Sequence, residues 1–307
     1  MALRDYLVGE VAQDFADGLL TRRDALRRLG LLGLGLAGAS TLLAACADGG
    51  DGGDGGDGVE SGGDRNGDSA TTTSSAAATK LPAEAIRFAG ASGELQAAYA
   101  APTTGAVKGS LLVIHENRGL TPHFHDLVGR LAGEGFAALC VDLVSPEGGT
   151  SSLGDEGAAA AALAAAPTSR LVGDLRAGIG ELQRRNAGTK VGVVGFCFGG
   201  GMTWQLLQEG DERVAAAIPF YGPAPDKPDF RNADAAVLAV YAGSDTRVNA
   251  SRDRAEEALK AAGLTHEVRV FQGADHAFFN DTGARYDAEA SAAAYTLLLE
   301  WFTRYLA

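Results

Sequence analysis

From about position 84 onward the chain alternates two hydrophobic rhythms. Short apolar or β-branched runs fall at 110–115, 136–143, 190–196, 214–221, 235–243 and 266–272, the length that buried strands have and helices rarely do. Between them, apolar residues recur at helical spacing over 122–134, 170–185, 199–208, 251–262 and 286–305. Each of these stretches is long enough to cross over from one parallel strand to the next. Ahead of them, 85–89 and 94–100 read as an antiparallel hairpin. The pattern predicts an α/β domain over 81–307, with a mostly parallel central sheet flanked by helices on both faces. In such sheets chemistry sits at the carboxyl ends of the strands, so the loops after these runs are the places to search.

The first 80 residues follow a different logic. Arg22-Arg23 precedes an apolar run over 29–45, which closes on Leu43-Ala44-Ala45-Cys46. That is the order of an export signal. The paired arginines resemble a twin-arginine signal, with Ala25 where that pattern usually has Phe. Leu43 to Cys46 resembles a bacterial lipobox, whose cysteine is lipidated and becomes the mature N-terminus. The expectation is an exported protein, tethered through Cys46 to the outer face of a bacterial membrane, on the periplasmic or extracellular side. The rival is an uncleaved anchor, but a run of this length, rich in Gly and Ala, is at the short edge of what spans a bilayer. Gly33 to Gly38 matches GxGxxG, yet no strand precedes it and no βαβ unit follows, so a dinucleotide site is rejected.

From 47 to 80 the chain has 10 Gly and seven acids against Arg65 and Lys80, a composition that cannot bury enough apolar surface to order itself. The stretch 52–59 fits one calcium nonapeptide repeat, but that architecture shares ligands between stacked copies. A flexible acidic tether is the expectation.

Charge narrows the partners. The 307 residues carry 26 Lys and Arg against 39 Asp and Glu, a formal net charge of -13. Such a field repels phosphate backbones and anionic lipid surfaces, so nucleic acid is not expected and the membrane is met through the lipid anchor alone. The 3 Cys cannot all pair, and each needs its own account.

One of them sits where chemistry belongs. The run 190–196 leads into Gly195-Phe196-Cys197-Phe198-Gly199-Gly200 and then a helix, the nucleophile-elbow pattern with Cys in place of Ser. A strand turning directly into a helix holds its nucleophile in a strained backbone conformation. Side chains at Gly195 and Gly199 would collide with the neighbouring strand and helix. The turn leaves Cys197 at a helix N-terminus, where the dipole and free N–H groups favour thiolate. Cys140, inside an apolar strand, reads instead as a buried structural thiol. In this chain order an acid and then a histidine should follow the nucleophile. Asp245 follows the run 235–243 and His276 follows 266–272. Asp275 is the rival acid, but a residue adjacent to the histidine rarely turns its carboxylate onto the same ring. His276 is expected to move protons, with Asp245 fixing its tautomer.

With these residues in place the sequence resembles the dienelactone hydrolase family of α/β-hydrolases, across essentially all of 81–307. The matching motifs are His115-Glu116-Asn117-Arg118-Gly119, Gly195 to Gly200, Gly243-Ser244-Asp245, and Gly273-Ala274-Asp275-His276-Ala277-Phe278. The resemblance implies that Glu116 contacts the resting thiol and helps generate thiolate. It also implies an oxyanion hole from the backbone N–H groups of Asn117 and Phe198. Well-known members hold a substrate carboxylate with two arginines. Here one of those positions is Asn280 and the segment 142–169 has no Arg, so a true dienelactone is not the expected substrate. Arg118 is the candidate cation at the mouth of the site. His115, His123 and His125 cluster in sequence without a metal-ligand spacing, and no metal is expected. Phe220, Tyr221, Phe278 and Phe279 could line an acyl pocket, although core packing is the commoner use.

The leading expectation is therefore an exported, lipid-tethered cysteine hydrolase of small-molecule carboxylic esters or lactones, acting through a thioester and needing no cofactor. A catalytically silent surface binding protein on the same fold is the alternative. The set Glu116, Cys197, Asp245 and His276 argues against it, since binding alone has no need of all four. Redox or thiol-transfer work ranks last for want of a resolving cysteine. The acyl group and the oligomeric state are not legible.

Overall fold

The computed structural model describes residues 3–47 and 79–307. The acidic Gly-rich stretch, including the calcium-like 52–59, lies almost wholly outside the described residues. Eight strands form one sheet. In chain order they are β1 (Glu84–Gly90), β2 (Gly93–Ala100), β3 (Ser110–Ile114), β4 (Ala137–Val141), β5 (Val191–Phe196), β6 (Val214–Phe220), β7 (Ala236–Ala242) and β8 (His266–Phe271). Their spatial order is β1-β2-β4-β3-β5-β6-β7-β8. β2 runs antiparallel to β1 and to β4, and every pairing from β4 through β8 is parallel.

Strands β3, β4, β5 and β7 are buried along their whole length. Their near-continuous apolar sequences follow from helices covering both faces. The helices on the two faces are α4 (Pro122–Gly133), α6 (Thr168–Arg185), α7 (Phe198–Glu209) and α9 (Arg252–Ala261), which cross over between strands, and α10 (Ala288–Leu306), which follows the last strand; all lie close to the stretches read from the spacing. Residues two apart on a strand share a face, and this separates α6 from α10. Gly178 of α6 sits over Leu112, Leu139 and Val141, whereas Phe302 of α10 sits over Gly192. Val193, not Gly192, is the register partner of Leu112. The two helices therefore cover opposite faces.

Two helices in this part of the chain had no signal in the spacing. The Ala-rich α5 (Glu156–Ala165) starts on an Asp155 side-chain cap, and the single-turn α8 (Thr246–Asn249) follows β7. The first 47 residues form three more helices, α1 (Leu3–Ala16), α2 (Arg22–Leu31) and α3 (Leu36–Ala47). The apolar run at 29–45 is thus divided, because Gly33 adopts φ 80° and closes α2. The GxGxxG match spans this helix–turn–helix junction, with no strand before it. No described helix is long and apolar enough to cross a membrane. Instead α1, α2 and α3 pack on one another and reach α5, and α1 lies over the carboxyl edge of the sheet.

Candidate active site

The elbow has the geometry that its glycines require. Cys197 links β5 to α7 with φ 55° and ψ -115°, a conformation that an L-residue holds only when its surroundings fix it. The Cys197 N–H is anchored to the Phe220 carbonyl of β6. A Cβ on Gly195 would lie 2.0 Å from the Gly199 carbonyl oxygen, and one on Gly199 would lie 2.2 Å from that of Ile114. Strand and helix approach each other too closely for any side chain. Phe198 opens α7, so its N–H has no carbonyl within the helix to bond.

The acid after β7 and the histidine after β8 meet at this point. Asp245 caps α8, with Oδ1 accepting from the Val248 N–H at 3.0 Å. Its Oδ2 faces Nδ1 of His276 at 2.5 Å. Helix capping thus fixes the carboxylate that orients the ring. Burial works against a charged His276, but the Cys197 charge and the Asp245 bond outweigh it and hold the imidazole pKa up to about 10. His276 accordingly carries its proton at neutral pH. Asp275 makes no such approach among the described contacts, and the ring's acid partner is Asp245, as the chain order indicates.

Glu116 lies at the same place, but its partners differ from those the resemblance implies. Its Oε2 accepts from Asn280 Nδ2 at 2.8 Å and its Oε1 accepts from the Tyr221 hydroxyl at 3.4 Å. The thiol instead meets α1. Tyr6 Oη is 3.2 Å from Cys197 Sγ, and Glu10 Oε2 is 3.7 Å from it. Burial and the Cys197 charge raise the Tyr6 phenol well above its ordinary pKa, so it keeps its proton. The same Glu10 oxygen lies 3.3 Å from His276 Nε2, without the alignment of a hydrogen bond. Cys197 is 3% exposed and His276 7%.

Arg118 is exposed and Asn117 half-buried, and both line the cleft beside Cys197, His276 and Asn280. The cations that close on α1 come from elsewhere. Arg247 pairs with Glu10, and Arg285 with Asp14 and Asp17. None of Tyr6, Glu10, Arg247 or Arg285 stood out in the sequence. Arg247, two residues beyond Asp245, was the one with a positional signal.

The remaining sequence candidates resolve into packing. His115 donates from Nδ1 to the Glu116 carbonyl and accepts at Nε2 from the Leu143 N–H. Its burial lowers the ring pKa, and this neutral ring ties the end of β3 to the loop after β4. His123 turns away to Asp281 at 2.7 Å, so the three histidines do not converge. Phe220, Tyr221, Phe278 and Phe279 are all at most 1% exposed, and Phe220 and Phe279 stack around Phe196. Cys140 is fully buried in β4, with its thiol pKa raised by desolvation.

Sheet order and the place of the elbow define the class: this is an α/β-hydrolase. The model of the dienelactone hydrolase family matches residues 95–306, and the chain belongs to that family. A carboxymethylenebutenolidase-named protein of Methylorubrum extorquens is 30% identical over 250 residues, covering 77% of this chain and 86% of its own. One from Salmonella typhi is 31% identical over 228 residues, with 69% and 83% covered. Among solved structures, a dienelactone hydrolase-named protein of Klebsiella pneumoniae superposes with a TM-score of 0.64 at 26% identity, over 73% of this chain and 99% of that one. The chain is a hydrolase of this kind.

Proposed function

We propose that the protein hydrolyses small-molecule carboxylic esters or lactones through a thioester on Cys197. The observation that carries this reading is that Asp245 orients His276, a ring nitrogen of which lies within 4.8 Å of the Cys197 thiol at the elbow. With the proton resting on His276, Sγ attacks the carbonyl carbon as thiolate. The resulting oxyanion is received by the N–H groups of Asn117 and Phe198. His276 gives its proton to the departing alkoxide as the tetrahedral species collapses to thioester. It then takes a proton from the water that attacks the thioester, and the carboxylic acid leaves with Sγ restored. No metal or organic cofactor enters these steps.

Glu116 and Asn280 form the floor of this cleft. Where well-known relatives place an arginine, Asn280 holds the Glu116 carboxylate, and this supports a substrate other than dienelactone.

The test is intact-protein mass spectrometry of the full chain, and of Leu7→Asp, which puts a charge at a buried position of α1 and loosens that helix from the thiol, mixed with short p-nitrophenyl esters and with dienelactone beside Cys197→Ala. A thioester mass and product release are expected, and Cys197→Ala should lower turnover by about 10³-fold or more with unchanged thermal melting. No adduct and no turnover in either chain overturns the reading in favour of a silent binding protein.

We also propose that residues 1–46 direct export and that Cys46 carries a lipid. Arg22-Arg23 at the start of α2, the apolar run and Leu43 to Cys46, in that order, support this.

A further inference from the structure

The N-terminal helix occupies the position that a substrate must take. On α1, Tyr6, Glu10 and Asp14 follow one another at intervals of about one helical turn on the side that meets Cys197 and the cleft, and Asp17, just past the end of the helix, pairs with Arg285 at the rim. Leu7 and Val11 beside them are buried. A reacting carbonyl carbon has to come within about 3–3.5 Å of the nucleophile. The Glu10 carboxylate stands 3.7 Å from Sγ and 3.3 Å from His276 Nε2. An ester and Glu10 cannot both be there. The cavity left beside α1 measures about 70 Å³, against the roughly 300 Å³ or more that small-molecule sites enclose.

The contacts that hold α1 are specific. Arg247 pairs with Glu10 and lays its guanidinium over the Tyr6 ring at 4.7 Å. Its Nε and Nη1 are buried without hydrogen-bond partners, so the Glu10 charge is what compensates the cation. Arg285 donates to Asp14 at 2.8 Å and to Asp17. The alternative is that Tyr6 and Glu10 are working members of the site. Glu10 nevertheless stands between the two groups that must share the incoming carbonyl, and occlusion is the reading that this geometry favours.

We propose that α1 is an intramolecular plug, held by Arg247 and Arg285 through Glu10, Asp14 and Asp17, that must leave the cleft before an ester can reach Cys197. The inference rests on the acyl-transfer reading above. Under the export reading, cleavage before Cys46 would carry α1 away and leave the mature hydrolase open.

The test uses the full chain and the double variant Asp14→Lys/Asp17→Lys, whose side chains lie at the partly exposed end of the contact. Leu7→Asp serves as a second, independent way to unseat the helix. The primary readout is the rate of iodoacetamide labelling on the Cys197 peptide, which needs no ester chemistry. p-Nitrophenyl acetate hydrolysis is measured in parallel. Both rates are expected to rise by about tenfold or more in both variants, as the open fraction grows. Labelling that is unchanged in both variants overturns the plug. Faster labelling with slower hydrolysis also overturns it, because α1 would then supply groups that the reaction uses. Faster labelling with no hydrolysis in any chain upholds the plug and defeats the acyl-transfer reading instead.

Discussion

Tyr6 and Glu10 touch the Cys197 thiol and His276 lies beside it, and of these chain position disclosed only the histidine. The positions of Cys197, Asp245 and His276 were legible because each follows a strand, in the chain order that this topology sets. Glu116 was placed correctly on the loop after β3, but its partners were not, since Asn280 and Tyr221 reach it across the fold. His276 carries a prediction at this scale. An unperturbed histidine titrates near 6.5, whereas here the pKa is raised to about 10. Between these values the folded chain holds a proton that the unfolded chain has released. The stability this contributes is full below about pH 6.5 and is lost as pH rises through about 10. Melting temperature followed from pH 6 to 10 should fall more steeply in the native chain than in His276→Gln, and parallel slopes would contradict the assignment.

At the scale of elements, the strands were readable to within about a residue or two because burial on both faces demands unbroken apolar runs. The crossover helices were readable because each buries one stripe. α5 escaped because alanine satisfies either environment and leaves no period to detect. The elbow is the element where sequence and geometry agree most closely. Gly199→Ala would put a Cβ 2.2 Å from the Ile114 carbonyl oxygen, and backbone cannot yield as a flexible side chain can. A loss of about 3 kcal/mol is expected, read as an earlier urea midpoint with unchanged slope. A neutral result would mean that α7 and β3 are farther apart than described.

For the molecule as a whole, the export and lipidation reading has its own test. Cys46→Ala should move the protein from the membrane fraction to the soluble fraction, and unchanged fractionation would defeat it.

By itself, the sequence determined the α/β architecture, the cysteine elbow and the His–Asp partnership, because these depend on local periodicity, on glycine at crowded turns and on chain order. Only the tertiary structure decided that a segment nearly two hundred residues before the elbow lies against Cys197. Glu10 and Arg285 are ordinary surface-type residues with no local signature, and Arg247 has only its place two residues beyond Asp245. Their roles come from charge pairing across the fold, and no reading along the chain contains that distance.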